Sequence, residues 1–107
     1  MESKKILSLI GLATKAGKTK SGEFAVESSI MSHYARLVFI SEEASERTRK
    51  SFTNKCNYHK IPVVICFSKE ELGKACGKEI RTSVAIEDVG FASALLKLVD
   101  RSQNGGC

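Results

Sequence analysis

Apolar residues recur along this chain in helical and strand-like stretches by turns. In residues 4–16, Ile6, Leu9, Ile10, Ala13 and Ala16 stand at helical spacing, and Gly17 is placed to end the segment. A second helical pattern covers residues 23–32 through Val26 and Ile30. Between them, Thr19-Lys20-Ser21-Gly22 is too polar and too short for a core element and reads as a basic loop. Leu37-Val38-Phe39-Ile40 is an unbroken apolar run closed by Ser41, as expected of a strand buried on both faces. Helical spacing returns over residues 43–58, with Thr48, Phe52 and Cys56 on one face and Glu46, Arg47, Arg49, Lys50 and Lys55 for the wet side.

Residues 61–67 read as a second buried strand, with Pro62 tolerable at its start because no interior ladder bond is lost there. Ser68-Lys69-Glu70-Glu71 spells a capping box, in which the Ser68 hydroxyl accepts from a first-turn amide while Glu71 reaches back. Leu72, Ala75 and Cys76 supply that helix's apolar stripe, and Gly77 stops it. Ser83-Val84-Ala85-Ile86 reads as a third strand, and Asp88 caps a last helix with Phe91, Ala94, Leu95 and Leu98 as its buried stripe. The tail over residues 102–107 reads as frayed. Such alternation predicts an α/β fold, a three-layer α/β/α sandwich around a small mixed, mostly parallel sheet.

Composition narrows the class. The chain has 107 residues, is 42% hydrophobic and 27% charged, and carries a net charge of +5, which suits one globular domain over residues 1–107 without repeats or linkers. No apolar run approaches the roughly 18 residues that span a bilayer, so no membrane partner is expected. The apolar start over residues 6–12 is followed by Lys15 and Lys18 with no clear small-residue cleavage site, which argues against export. Cys56, Cys66, Cys76 and Cys107 form no C-x-x-C pair, and the first three fall in apolar patterns as free thiols, which suits a reducing cytoplasm.

Catalytic and metal signals are thin. His33 and His59 have no nearby Cys, Ser or acid in a triad or metal pattern, and Glu42-Glu43, Glu70-Glu71 and Glu87-Asp88 fall near predicted helix starts, where acids favour the dipole. Gly11-Leu12-Ala13-Thr14-Lys15-Ala16-Gly17-Lys18-Thr19 nearly spells a P-loop. However, five residues rather than four separate its glycines, and the segment has helical periodicity where a strand should precede it. An enzyme is not expected, and neither a cofactor nor a metal.

The basic segment has another use. Lys15, Lys18 and Lys20, interleaved with Gly17 and Gly22, precede helix two, so ammonium groups and free first-turn amides converge as an anion site in outline. A solvated loop with solubilising lysines reads the same way from charge alone. Glu23 is a favourable first-turn acid; in that setting its carboxylate also accepts from the donor edge of an unpaired guanine. The absence of Trp and the sparse aromatics argue against a stacking platform of the RRM or OB type.

The run Ile61-Pro62-Val63, then Ser68-Lys69-Glu70-Glu71-Leu72-Gly73-Lys74-Ala75-Cys76-Gly77-Lys78-Glu79 and Ser83-Val84-Ala85-Ile86, resembles the ribosomal L7Ae/L30e family of kink-turn RNA-binding proteins. Its most specific part is the Leu-Gly-x-Ala-x-Gly segment. With Gly11-Leu12-Ala13, Ala16-Gly17-Lys18 and Ser21-Gly22-Glu23, the resemblance is nearest to the bacterial YlxQ-like branch and covers about residues 4–100.

This resemblance implies an α/β/α sandwich and non-catalytic binding of structured RNA, typically a kink-turn in ribosomal or regulatory RNA. It places the contact at Lys20, Ser21, Gly22 and Glu23, with Ile80, Arg81 and Thr82 closing over the bulge. The chain departs from the family's Gly-x-Asn-Glu pattern. Lys20 stands for the glycine, Gly22 for the asparagine and Val26 for a lysine one turn later, so of that core Glu23 remains. Gly22 is expected to present its backbone amide closely, Lys20 to add charge, and Arg81 beside Ile80 to supply a phosphate or base contact with apolar closure.

The sequence thus predicts a cytoplasmic bacterial RNA-binding protein of translation-related RNA, with ribosome or translation-associated proteins as further partners. Its RNA site comprises Lys15, Gly17, Lys18, Lys20, Ser21, Gly22, Glu23, Ile80, Arg81 and Thr82. The alternative is a protein-interaction module of the same fold that has lost kink-turn specificity.

Overall fold

The computed structural model describes residues 2–102; the expectation of a frayed tail falls almost wholly outside them. Nine elements follow one another: α1 (Glu2–Lys15), β1 (Thr19–Ser21), α2 (Glu23–Met31), β2 (Leu37–Ile40), α3 (Glu46–Tyr58), β3 (Val63–Ile65), α4 (Lys69–Ala75), β4 (Ser83–Ile86) and α5 (Val89–Ser102). The strands form one sheet in the order β1-β4-β2-β3. β2 and β4 are central and buried along their whole length, which is why they read as unbroken apolar runs.

Alternation along these two strands divides the interior. Leu37, Phe39, Val84 and Ile86 meet Ile6 and Ile10 of α1, Leu72 of α4 and Leu95 of α5. Val38, Ile40 and Ala85 meet Val26 and Ile30 of α2 and Phe52 and Cys56 of α3 on the other face. The three-layer α/β/α sandwich with a mixed sheet is therefore present. The sheet is not mostly parallel, however: β2 pairs β3 in parallel, while β4 runs antiparallel to both β1 and β2. The antiparallel pairings arise because β1, read as a loop, is a strand, and because β4 enters beside β2 from the opposite end.

Other expectations shift by smaller amounts. β3 is three residues long and lies at the sheet edge, with Ile65 exposed; its flanking residues carried the apolar run because Ile61, Cys66 and Phe67 are buried outside the ladder. α3 begins at Glu46 after Ser45, whose hydroxyl accepts from the Thr48 amide. The buried stripe of α5 runs through Ala92, Leu95 and Val99; Phe91 and Leu98 flank it half-buried and Ala94 is exposed, as is Ala16 beyond α1. Cys56 and Cys76 are buried free thiols. Cys66 is buried as well, against Phe67 and Leu72 in the core.

Helix ends follow the sequence closely. The capping box at Ser68 and Glu71 forms with both bonds, 3.0 and 2.9 Å. Asp88 Oδ2 accepts from the Phe91 amide at 2.9 Å. α1 closes with paired bonds from Gly17 N–H to the Thr14 carbonyl and from Lys18 N–H to the Ala13 carbonyl, the Schellman arrangement. Residues 11–15 are thus helical and a strand follows at Thr19, the reverse of P-loop order. Among the described residues no helix is long and apolar enough to cross a membrane.

Candidate nucleic-acid interface

The site is built where β1 hands over to α2. Strand alternation sends Thr19 toward α1, where its hydroxyl meets that of Thr14 at 3.0 Å, and sends Ser21 to the same side. Lys20, opposite Ala85 in the ladder, faces the α2 side and is exposed. Gly22 then turns the chain at φ 95° and ψ 151°, a region essentially reserved for glycine. Its N–H donates to the Ser83 carbonyl at 3.0 Å, so the expectation that this amide faces a ligand is wrong: it anchors the turn to β4. No side chain caps α2, which leaves its first-turn amides open to an outside acceptor.

The segment between α4 and β4 lies against this turn. Arg81 Nε donates to Ser21 Oγ at 3.1 Å, its Nη1 donates to the Ile80 carbonyl at 2.8 Å, and its backbone N–H donates to the Lys69 carbonyl at 3.0 Å. Two of five guanidinium donors are thereby fixed and the rest remain for a ligand. Ile80 is exposed and Thr82 half-buried, with the Thr82 carbonyl accepting from the Ser41 amide. Gly73 of α4 makes room for this segment, since a Cβ there would sit 2.6 Å from the Glu79 carbonyl oxygen and 2.7 Å from Ile80 N.

Glu23 is held from a third element. The Thr48 hydroxyl donates to Glu23 Oε1 at 3.0 Å and itself receives the Ser45 hydroxyl at 2.9 Å. Sequence reasoning missed Thr48, which it placed on a buried face; it is half-buried and turned toward α2. It also missed Phe24, which is exposed beside Glu23. Phe24 and Arg47 line a cleft of about 520 Å³ between α2 and α3, bridged by the Lys55–Glu27 ion pair.

The structure therefore brings Lys20, Ser21, Gly22, Glu23, Ile80, Arg81 and Thr82 to one end of the sheet. Lys15, Gly17 and Lys18 are exposed at the opposite end of β1, where the Lys18 carbonyl accepts from the Glu87 amide. At about 3.3 Å per residue, Lys18 lies roughly 13 Å along the strand from Gly22. Val26 is fully buried and presents nothing to a ligand.

Elsewhere, His33 and His59 stack edge to face at the ends of α2 and α3. Glu43 does not start α3; its carboxylate accepts from the Lys69 amide at the start of α4. Burial pushes the Cys56 thiol up to about 11. It also raises Cys76, against opposing effects from a Thr14 hydrogen bond and the charges of Arg81 and Lys78.

The sequence profile of the ribosomal protein L7Ae/L30e/S12e/Gadd45 family matches residues 4–96. The RNA-binding protein YlxQ of Bacillus subtilis (strain 168) is 46% identical over 92 residues, covering 86% of this chain and 92% of that one. The RNA-binding protein YlxQ of Enterococcus faecium is 36% identical over 96 residues, 90% and 92% of the two chains. Among solved structures, a protein of unknown function from Bacillus halodurans superposes with a TM-score of 0.87 at 35% identity, covering 90% of this chain and 97% of that one. The Giardia lamblia 15.5kD RNA binding protein shares the fold at a TM-score of 0.81 and 20% identity, over 96% of this chain and 88% of that one.

Proposed function

Because the chain belongs to the ribosomal protein L7Ae/L30e/S12e/Gadd45 family, we propose that it binds structured RNA without catalysis, at the end of the sheet where β1 meets α2. The observation that carries this reading is the Arg81–Ser21 hydrogen bond, which joins two segments 60 residues apart beside Glu23. A braced guanidinium, an uncapped helix start and an oriented carboxylate together offer phosphate contacts and one base-edge acceptor. Relatives called RNA-binding proteins at up to 46% identity support the same partner.

The RNA is a kink-turn or a related distorted element, read by Glu23 and closed over by Ile80 and Arg81, and its setting is ribosomal or translation-associated RNA in the cytoplasm. Lys15 and Lys18 act as a second, outlying phosphate contact on the flanking helix. The test is a titration of labelled kink-turn RNA and a matched duplex lacking the bulge, at two salt concentrations. Preference for the kink-turn that Arg81→Ala abolishes and Arg81→Lys fails to restore is expected, because an ammonium keeps the charge but cannot reproduce the two-point brace.

Lys18→Ala should weaken both RNAs alike and lower the salt slope by about one. Binding that is insensitive to Arg81 would remove the site. Absence of RNA binding would favour a protein-interaction module, a reading motivated by the buried Val26 at the position of a family lysine.

A further inference from the structure

We propose that the groove along the outer side of α2 takes an unpaired strand of the same RNA, with bases stacked on Phe24 and Tyr34 and a phosphate on Lys20. This rests on the RNA-binding reading above and extends it to a second, single-stranded feature of the ligand. Phe24 is 86% exposed, the most exposed large hydrophobic side chain described, and Tyr34 is 64% exposed. A Phe left in water forgoes burial that a bound partner recovers.

Both aromatics line one groove of about 350 Å³, together with Lys20, Ser28, Ser32 and Glu87. Phe24 stands at its head, two residues from Gly22, so the groove is continuous with the kink-facing site. Tyr34 stands at its foot, just past the end of α2. At 1.5 Å per residue Phe24 lies roughly 10 Å from the end of α2 at Met31, beside which Tyr34 is held by its amide bond to the Ser29 carbonyl, too far to sandwich one base and suited to successive platforms under a short strand.

The chemistry of the groove favours a nucleic-acid strand over a protein segment. Lys20 projects to this side of β1 and places an ammonium at the head, where a phosphate leaving the kink would pass. Ser28 and Ser32 expose hydroxyls between the platforms. Glu87 is oriented by the Ser29 hydroxyl at 2.6 Å and offers an acceptor to base amino groups. Aromatic faces with alternating small polar groups and a terminal cation are the elements of single-strand recognition. Aromatics are few in this chain, but two of them are spent on one exposed groove.

The test compares a kink-turn RNA with blunt ends against the same RNA carrying a short single-stranded extension, placed on each strand in turn and containing 2-aminopurine. Wild-type protein should bind one extended RNA about tenfold tighter than the blunt one, with quenching of the 2-aminopurine signal as the base stacks. Tyr34→Ala should erase that advantage and the quenching while leaving blunt-RNA affinity and the circular dichroism spectrum unchanged; Tyr34→Phe should retain both. Equal affinity for blunt and extended RNAs would overturn the inference while leaving the RNA-binding reading intact, and would mark the groove for a protein. Binding to neither RNA would overturn both.

Discussion

The hydroxyl of Thr48, on the first turn of α3, donates to the carboxylate of Glu23, on the first turn of α2, at 3.0 Å. Two helix starts thus share one side-chain chain of bonds, Ser45 to Thr48 to Glu23. Thr48→Val keeps the shape and removes the donor. Since the bond is exposed, its loss is worth about 1 kcal/mol, which corresponds to roughly a fivefold drop in the ratio of kink-turn to duplex affinity. Affinity for the plain duplex should not change, because Thr48 has no part in phosphate contact; a parallel fall on both RNAs would show that Glu23 is not the discriminating group.

Gly22→Asn would bring in the asparagine that the family resemblance implies for this position. At φ 95° and ψ 151° a side chain is strained, so the substitution should destabilise the protein by about 1–3 kcal/mol rather than improve RNA recognition. Denaturant unfolding gives the stability change, and the RNA titration gives the second half of the prediction. A gain in kink-turn affinity without loss of stability would mean that the turn relaxes to the family geometry.

Gly73→Ala places a methyl carbon against the backbone of Glu79 and Ile80. Backbone cannot swing aside as a side chain does, so the segment carrying Arg81 must move. The expected cost is roughly 1–3 kcal/mol in stability, as for overpacking, together with lost RNA affinity beyond what the stability change explains at a temperature where the variant remains folded.

Cys56 titrates at about 11 in the folded protein against an ordinary 9.0, because burial disfavours the thiolate. The folded state therefore holds this proton more tightly than the unfolded state. The corresponding stability is fully present below pH 9 and declines as pH rises toward 11. Urea midpoints across that interval should fall less steeply for Cys56→Ala than for the wild type, after the cavity cost of the substitution is taken from both ends. Alkylation of Cys56 near neutral pH should proceed only as fast as unfolding exposes it.

Central strands and helix caps were legible in the sequence because each is written locally. Leu37–Ile40 and Ser83–Ile86 announce themselves as apolar runs, and Ser68 with Glu71 needs only a spacing of three. β1 was not legible, since three residues containing an exposed lysine become a strand through pairing with residues 84–86 far along the chain. The same non-locality explains the site. The segment of Lys20 to Glu23 and that of Ile80 to Thr82 were each singled out through family resemblance. Their junction at Ser21 and Arg81, and the orientation of Glu23 by Thr48, depend on tertiary placement that no local pattern encodes. Lys15 and Lys18 were grouped with the turn at Gly22 by proximity in sequence, and the extended strand β1 sets Lys18 roughly 13 Å from that turn.

The pairing of β1 with β4 also fixes when the site comes into existence. A chain emerging from the ribosome presents Lys20 and the α2 residue Glu23 early, yet Gly22 has no carbonyl to hold its turn until Ser83 appears, and Ser21 has no guanidinium until Arg81 does. Recognition is in this sense a late product of synthesis. Nascent chains halted before β4 should carry the charge of the finished protein's first half without the selectivity proposed for it, since only the completed sheet joins the basic segment to Arg81.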